Sequence, residues 1–273
     1  ILKNIGVNYF PVLRISDGEL LLLCGIQHES RRASLLKRLL ENSKNIIKKL
    51  TKQNDYILYS HIFGSFDHTT GQSETYKFNK KKYASDKIES IKKKFIKEVK
   101  EISKAGILSI HLSYSSKYSL VEKFWLSFFK ILNSNSISLN AQNCFPFYFV
   151  YMLLSDKKTF GNIIFNKKIL CVSSASGSKQ KNIIESIGNF NPKKIDWLEI
   201  PTSNTFFSEI ETNKLPYDKY DIVLLAAGTG KTNIITQLKK FNCPIIDCGF
   251  YFEVWNNNEF KYNRVGCVSD DEY

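Results

Sequence analysis

Apolar residues recur along the chain in two different periods. Residues 31–50 carry Leu35, Leu36, Leu39, Leu40, Ile46, Ile47 and Leu50, and residues 86–104 carry Ile88, Ile91, Phe95, Val99 and Ile102 before Gly106. Steps of three and four residues put such side chains on one side of a helix, so both segments are predicted to be amphipathic helices. Between the helical stretches lie short, β-rich apolar runs at 9–15, 56–59, 107–112, 169–172, 197–200, 222–225 and 244–246. Runs of this length bounded by polar or small residues read as strands. The alternation predicts an α/β, Rossmann-like fold, a largely parallel sheet with helices on both faces.

The pattern is most regular from Lys168 onward, where strand, helix, strand, helix, strand, helix and strand follow one another, as in a nucleotide-binding half-fold. The first 160 residues are less regular, and the polar stretch 68–82 reads as a loop. No internal repeat and no Pro- or Gly-rich linker divides the chain. Residues 155–166 offer the one plausible cut, and a single domain over 1–273 is expected. The longest apolar run, 145–154, contains Pro146 and falls well short of the roughly 20 residues that span a bilayer as a helix.

Composition narrows the function classes. Of 273 residues, 43% are apolar, enough for a sizeable core, so disorder is not the default. No basic leader followed by an apolar stretch marks the chain for export, and it opens on Ile, as a trimmed chain would. Cys24, Cys144, Cys171, Cys243, Cys248 and Cys267 form no C-x-x-C pair, which fits buried free thiols in a reducing compartment. His28, His61, His68 and His111 make no zinc-spaced cluster with them. A formal charge of +13 favours an anionic partner such as a sugar nucleotide, a lipid-linked phosphate, a membrane surface or nucleic acid. Residues 77–104 hold eleven Lys against four acids and so carry +7 of it, the pattern of a solvated helix face.

Three strand-to-helix junctions carry candidate chemistry. In the first, Arg14-Ile15-Ser16-Asp17-Gly18-Glu19 lies between two apolar segments. Asp17 and Glu19 could converge across Gly18 into a hard-oxygen site for Mg²⁺ or Mn²⁺. Ser16-x-x-Glu19 is equally a capping box, in which Glu19 turns back to the backbone. In the second, an apolar strand at 222–225 runs into Gly228, Thr229, Gly230, Lys231 and Thr232 and then a helix over 233–241, whose first N–H groups could receive a phosphate. The Walker A pattern fails there, because the position five before Gly230 is Leu225. A plain tight turn explains the same glycines. The third, 169–178, has one Gly where a dinucleotide fingerprint needs three.

Taken in order, these segments resemble the GT-D glycosyltransferases, whose features are an N-terminal R-x-G-D-G-E and a C-terminal strand, small-residue loop, helix and D-I-G-H. Arg14-Ile-Ser-Asp-Gly-Glu19 matches the first except at Ser16. Tyr220-Asp-Ile-Val-Leu-Leu-Ala-Ala-Gly228, Pro244-Ile-Ile-Asp-Cys-Gly249 and Glu253-Val-Trp255 resemble the closing segments, and Ile200-Pro-Thr-Ser-Asn-Thr-Phe206 resembles a proline-containing loop with Asn204. The middle third carries no matching motif. Phe250 stands where the family has His, and Thr229 where it has Pro.

The resemblance implies a metal-dependent transfer of sugar from a nucleoside-diphosphate donor to a glycan or lipid-linked glycan acceptor. Asp17 and Glu19 would hold Mn²⁺ or Mg²⁺ on the donor diphosphate, with Arg14 as a phosphate or carboxylate partner. Gly228, Thr229, Lys231, Thr232 and Asn204 would face donor or acceptor. With the family His replaced, Glu253 is the candidate base, or else a surface carboxylate beside Trp255. The expected location is cytoplasmic, with peripheral contact at the inner face of the membrane. The rivals are a non-catalytic nucleotide-sugar or glycan module, a phosphate-binding NTPase-like protein, and a nucleic-acid binder, of which the last has no recognised motif; no nucleic-acid partner is expected.

Overall fold

The computed structural model describes residues 8–15, 19, 23, 85–110, 128–202, 205–217, 219–263 and 267. Seven strands lie in one sheet: β1 (Phe10–Ile15), β2 (Ile107–Ile110), β3 (Cys144–Pro146), β4 (Lys168–Ser173), β5 (Lys194–Glu199), β6 (Ile222–Ala226) and β7 (Pro244–Asp247). Their order is β3-β2-β1-β7-β6-β4-β5, and every neighbouring pair is parallel. The fold is therefore α/β and Rossmann-like.

Two-residue periodicity sorts the strand side chains into two cores. Leu13, Leu108, Leu170, Val172, Val223, Leu225 and Ile245 face one layer. Val12, Ile107, Ile169, Cys171, Ile222, Leu224 and Ile246 face the other. Strands buried on both faces read as continuous apolar runs, as these do in the sequence.

The first face is covered by helix α1 (Ser85–Ala105), which inserts Ile91, Phe95, Val99 and Ile102, and by the helical residues 128–134 with Phe128 and Leu132. The opposite face is covered by α2 (Phe149–Ser155), α3 (Lys157–Ile164) and α4 (Gly177–Gly188). Helix α5 (Lys231–Leu238) returns to the first face, and α6 (Tyr251–Asn256) closes the second, stacking Trp255 on Phe160. Among the described residues, the connections that move from β5 towards β3 pass over the first face, and those that move the other way pass over the second. A single crossover handedness requires that division.

Several sequence expectations shift at this point. The apolar run 145–154 divides into edge strand β3 and helix α2, because Pro146 ends a strand that has a neighbour on one side only. The helix expected between β5 and β6 is absent among the described residues, which form turns and one 3-10 segment, Thr212–Lys214. Side chains of α5 bind the turns at 205–210 instead: Asn233 Nδ2 donates to the carbonyls of Thr205 and Ser208, and Gln237 takes the amide of Ile210 and donates to Ser208. Residues 155–166, the candidate boundary, are mostly helix between two strands of the same sheet. The segments expected at 31–50, 56–59 and 68–82, and all four histidines, lie outside the described residues. The five described cysteines are free thiols, four of them buried. Among the described residues no helix is long and apolar enough to cross a membrane.

Candidate functional site

In a parallel sheet the ligand crevice forms at the carboxyl ends of two adjacent strands whose following segments leave to opposite faces. β1 and β7 are one such pair, and β7 and β6 are another: Leu23, downstream of β1, and Ile234, downstream of β6, pack in the first core, whereas Tyr251 and Phe252, downstream of β7, pack in the second. At the β1–β7 switch point lie the last polar side chain of β1, Arg14, and the last residue of β7, Asp247.

Arg14 is fixed on every side. Its backbone N–H donates to Asp247 Oδ2 at 3.1 Å, its Nε to the Asp247 carbonyl at 2.7 Å, and its Nη2 lies 3.2 Å from Asp247 Oδ1. Nη1 donates to the Tyr151 hydroxyl, and the guanidinium lies over the rings of Tyr151 and Phe147, 4.6 and 5.2 Å from their centroids. Gly249 makes this possible. Its φ is 47°, and a Cβ there would fall 1.5 Å from Arg14 Nη2, so only glycine lets the guanidinium lie against that backbone.

Lys231, the first residue of α5, closes the cluster from β6. Its ammonium lies 3.2 Å from Glu19 Oε1 and 3.2 Å from Asp247 Oδ2. All four ionic side chains are nearly sealed from solvent, at 5% exposure or less. Among the described residues two cations and two anions balance, as buried charges must to persist. Burial pushes the Asp247 carboxyl up, but Arg14 and Lys231 outweigh it and hold the group below its ordinary range. Burial works against the charged form of Arg14, and Asp247 overcomes it, so the guanidinium is held more firmly protonated than usual.

The turn ahead of α5 is built from two glycines with different duties. Gly228 has a φ of 58° with open space around it, so its requirement is conformational. Gly230 is held by contact: a Cβ there would lie 2.4 Å from the Thr205 carbonyl carbon and 2.5 Å from the Phe206 nitrogen. Thr232 is buried, and its hydroxyl donates to Glu98 Oε2 at 2.7 Å. It therefore joins α5 to α1. Lys94 supports the same junction, donating to the Phe206 carbonyl at 2.8 Å and to Asn233 Oδ1 at 2.9 Å. Burial raises the Glu98 carboxyl, against the opposing Thr232 bond and Lys94 charge.

Of the residues singled out in the sequence, Arg14, Glu19 and Lys231 meet in one cluster, and Gly228 and Thr229 form the turn leading to it. Thr232 points away to Glu98. Glu253 lies on α6, where its Oε1 pairs with Lys179 of α4 at 2.5 Å. Asp17 and Asn204 lie outside the described residues. Asp247 falls inside the closing motif Pro244-Ile-Ile-Asp-Cys-Gly249 but carries no assigned role in the sequence reading, and Tyr151 has no sequence signal of its own.

The Glu19 and Asp247 oxygens facing Lys231 do not fit a divalent ion bridging them. An M²⁺ ion beside the ammonium would meet a repulsion of roughly 8 kcal/mol at 4 Å and an effective dielectric of about 20. Among the described residues no group of three or more His, Cys, Asp and Glu side chains is arranged to hold a metal.

No protein-family model, curated protein or solved structure significantly matches the chain.

Proposed function

We propose that the chain transfers a sugar from a nucleoside-diphosphate donor to a hydroxyl of a glycan or lipid-linked glycan, at the crevice where β1 and β7 part. The observation that carries this reading is the coincidence of Arg14, Glu19, Lys231 and Asp247 at that switch point. Ionic side chains sealed in this way are expensive for a core to hold, and the carboxyl edge of a parallel sheet is where such an expense serves a ligand.

In the proposed reaction the bond from the sugar's anomeric carbon to the diphosphate oxygen breaks, and the diphosphate leaves with the electron pair. The acceptor oxygen bonds to that carbon, and its proton passes to a base. The start of α5, after the Gly228–Gly230 turn, offers backbone donors and the positive helix end to the leaving anion. Glu253, kept in place by Lys179, is the proposed base. The Arg14–Asp247 pair fixes the relative position of β1 and β7 and so shapes the crevice.

A second reading, nucleotide-sugar binding without turnover, is favoured by the Lys179–Glu253 pair, because the carboxylate oxygen held by the Lys179 ammonium is not turned towards an acceptor hydroxyl. Calorimetric titration with UDP and GDP, together with diphosphate release from sugar donors over a glycan panel, tests both. Saturable binding with donor-dependent release supports the transferase, and binding without release supports the second reading. Absence of saturable binding by any nucleoside diphosphate at millimolar concentration refutes both.

A further inference from the structure

We propose that Lys231 is a resident cation that plugs a latent divalent-metal position between Glu19 and Asp247, so that the wild-type crevice takes no metal there. Three observations point to it. The ammonium is equidistant from one oxygen of each carboxylate, at 3.2 Å, and all three side chains are buried. Its place on the helix works against it, since a cation at the first position of α5 faces the positive end of the helix dipole. The two carboxylates are what hold it there. Its backbone is also fixed, because Gly230 packs directly on Thr205 and Phe206, so the ammonium reaches the carboxylates from a rigid base.

Without the ammonium, the two carboxylates would keep, among the described residues, the Arg14 guanidinium on the other oxygen of Asp247. Two carboxylates are a ligand set that Mn²⁺ or Mg²⁺ accepts, and the volume vacated by the lysine head is where the ion and its waters would sit. The inference concerns the cluster alone and does not depend on which nucleotide or sugar the crevice takes.

The test is Mn²⁺ titration, followed by electron paramagnetic resonance of the free ion and by thermal melting, on wild type, Lys231→Met and the pair Lys231→Met/Glu19→Gln. The expected results are a wild type whose melting is the same in Mn²⁺ and in EDTA, and a Lys231→Met protein that binds one Mn²⁺ at least tenfold more tightly than wild type. That binding should disappear in the pair. Lys231→Gln, which keeps a polar head without charge, serves should the methionine variant not fold. Stoichiometric Mn²⁺ binding by wild type that is lost on Glu19→Gln overturns the inference, as does failure of folded Lys231→Met or Lys231→Gln to gain Mn²⁺.

Discussion

Asp247→Asn removes the one carboxylate shared by both cations of the crevice. Arg14 Nη2 and Lys231 Nζ each lose a charged partner at 3.2 Å, and among the described residues of the cluster Glu19 is left to balance two positive charges. The asparagine oxygen can still accept from the Arg14 backbone N–H, but its amide nitrogen then faces the guanidinium, so the contact to Nη2 is lost as well. Leaving a buried charge uncompensated costs about 3–5 kcal/mol, and that is the destabilisation expected in urea unfolding at pH 7. Charge balance makes a sharper statement. Counting these four groups, Lys231→Met alone leaves the cluster one negative, Asp247→Asn alone leaves it one positive, and the two together leave one cation, Arg14, and one anion, Glu19, neutral again. The double variant should therefore be less destabilised than the sum of the single ones by about 2 kcal/mol, within the usual range for residues in one ionic network. Additivity to within about 0.5 kcal/mol would refute the picture of one charge-balanced cluster. The acid limb offers a check on sign. The folded Asp247 carboxyl lies below its unfolded value near 3.9, so its contribution is present above about pH 4 and is lost as pH falls through the folded value.

The two glycines before α5 should respond differently to alanine. Gly228→Ala meets only the left-handed backbone and should cost about 1–2 kcal/mol, whereas Gly230→Ala must displace the Thr205–Phe206 backbone and should cost at least about 1–3 kcal/mol and also weaken any ligand held at the turn; chemical unfolding of both variants, with nucleotide titration of each, measures this, and a Gly230→Ala protein as stable as wild type would contradict the packing. Glu98→Gln should flatten the pH profile of stability on the weakly acidic side. The raised folded value makes the wild-type contribution complete below the unfolded value near 4.3 and lost as pH rises through the folded one. The amide can still accept from Thr232, so the variant should be as stable as wild type or more so at pH 7, and a loss above about 1 kcal/mol there would show that the charge itself is needed.

How much of this was legible in the sequence follows from what each signal reports. Strands β4, β6 and β7 could be placed to within a residue or two because burial on both faces leaves an uninterrupted apolar run, and α1 because its apolar residues keep helical steps over 21 residues. β3 could not, because its three residues join an apolar helix without a polar break. The strand-to-strand spacing predicts a helix between β5 and β6 without any helical pattern of its own, while the hydrogen bonds that hold the turns found there come from Asn233 and Gln237 further along. The crevice shows the same limit. Arg14, Glu19 and Lys231 each stood out by their position at a strand-to-helix junction, but what each one does depends on Asp247, which lies 233 residues from Arg14 and meets it only through the β1–β7 pairing. A lysine after a Gly-rich turn reads as a phosphate ligand when only its own neighbours are visible. Once Glu19 and Asp247 are placed around it, the same lysine is the counterion of two buried carboxylates, and any phosphate approaching the turn must rely on the backbone donors of α5 or compete with those carboxylates for the ammonium.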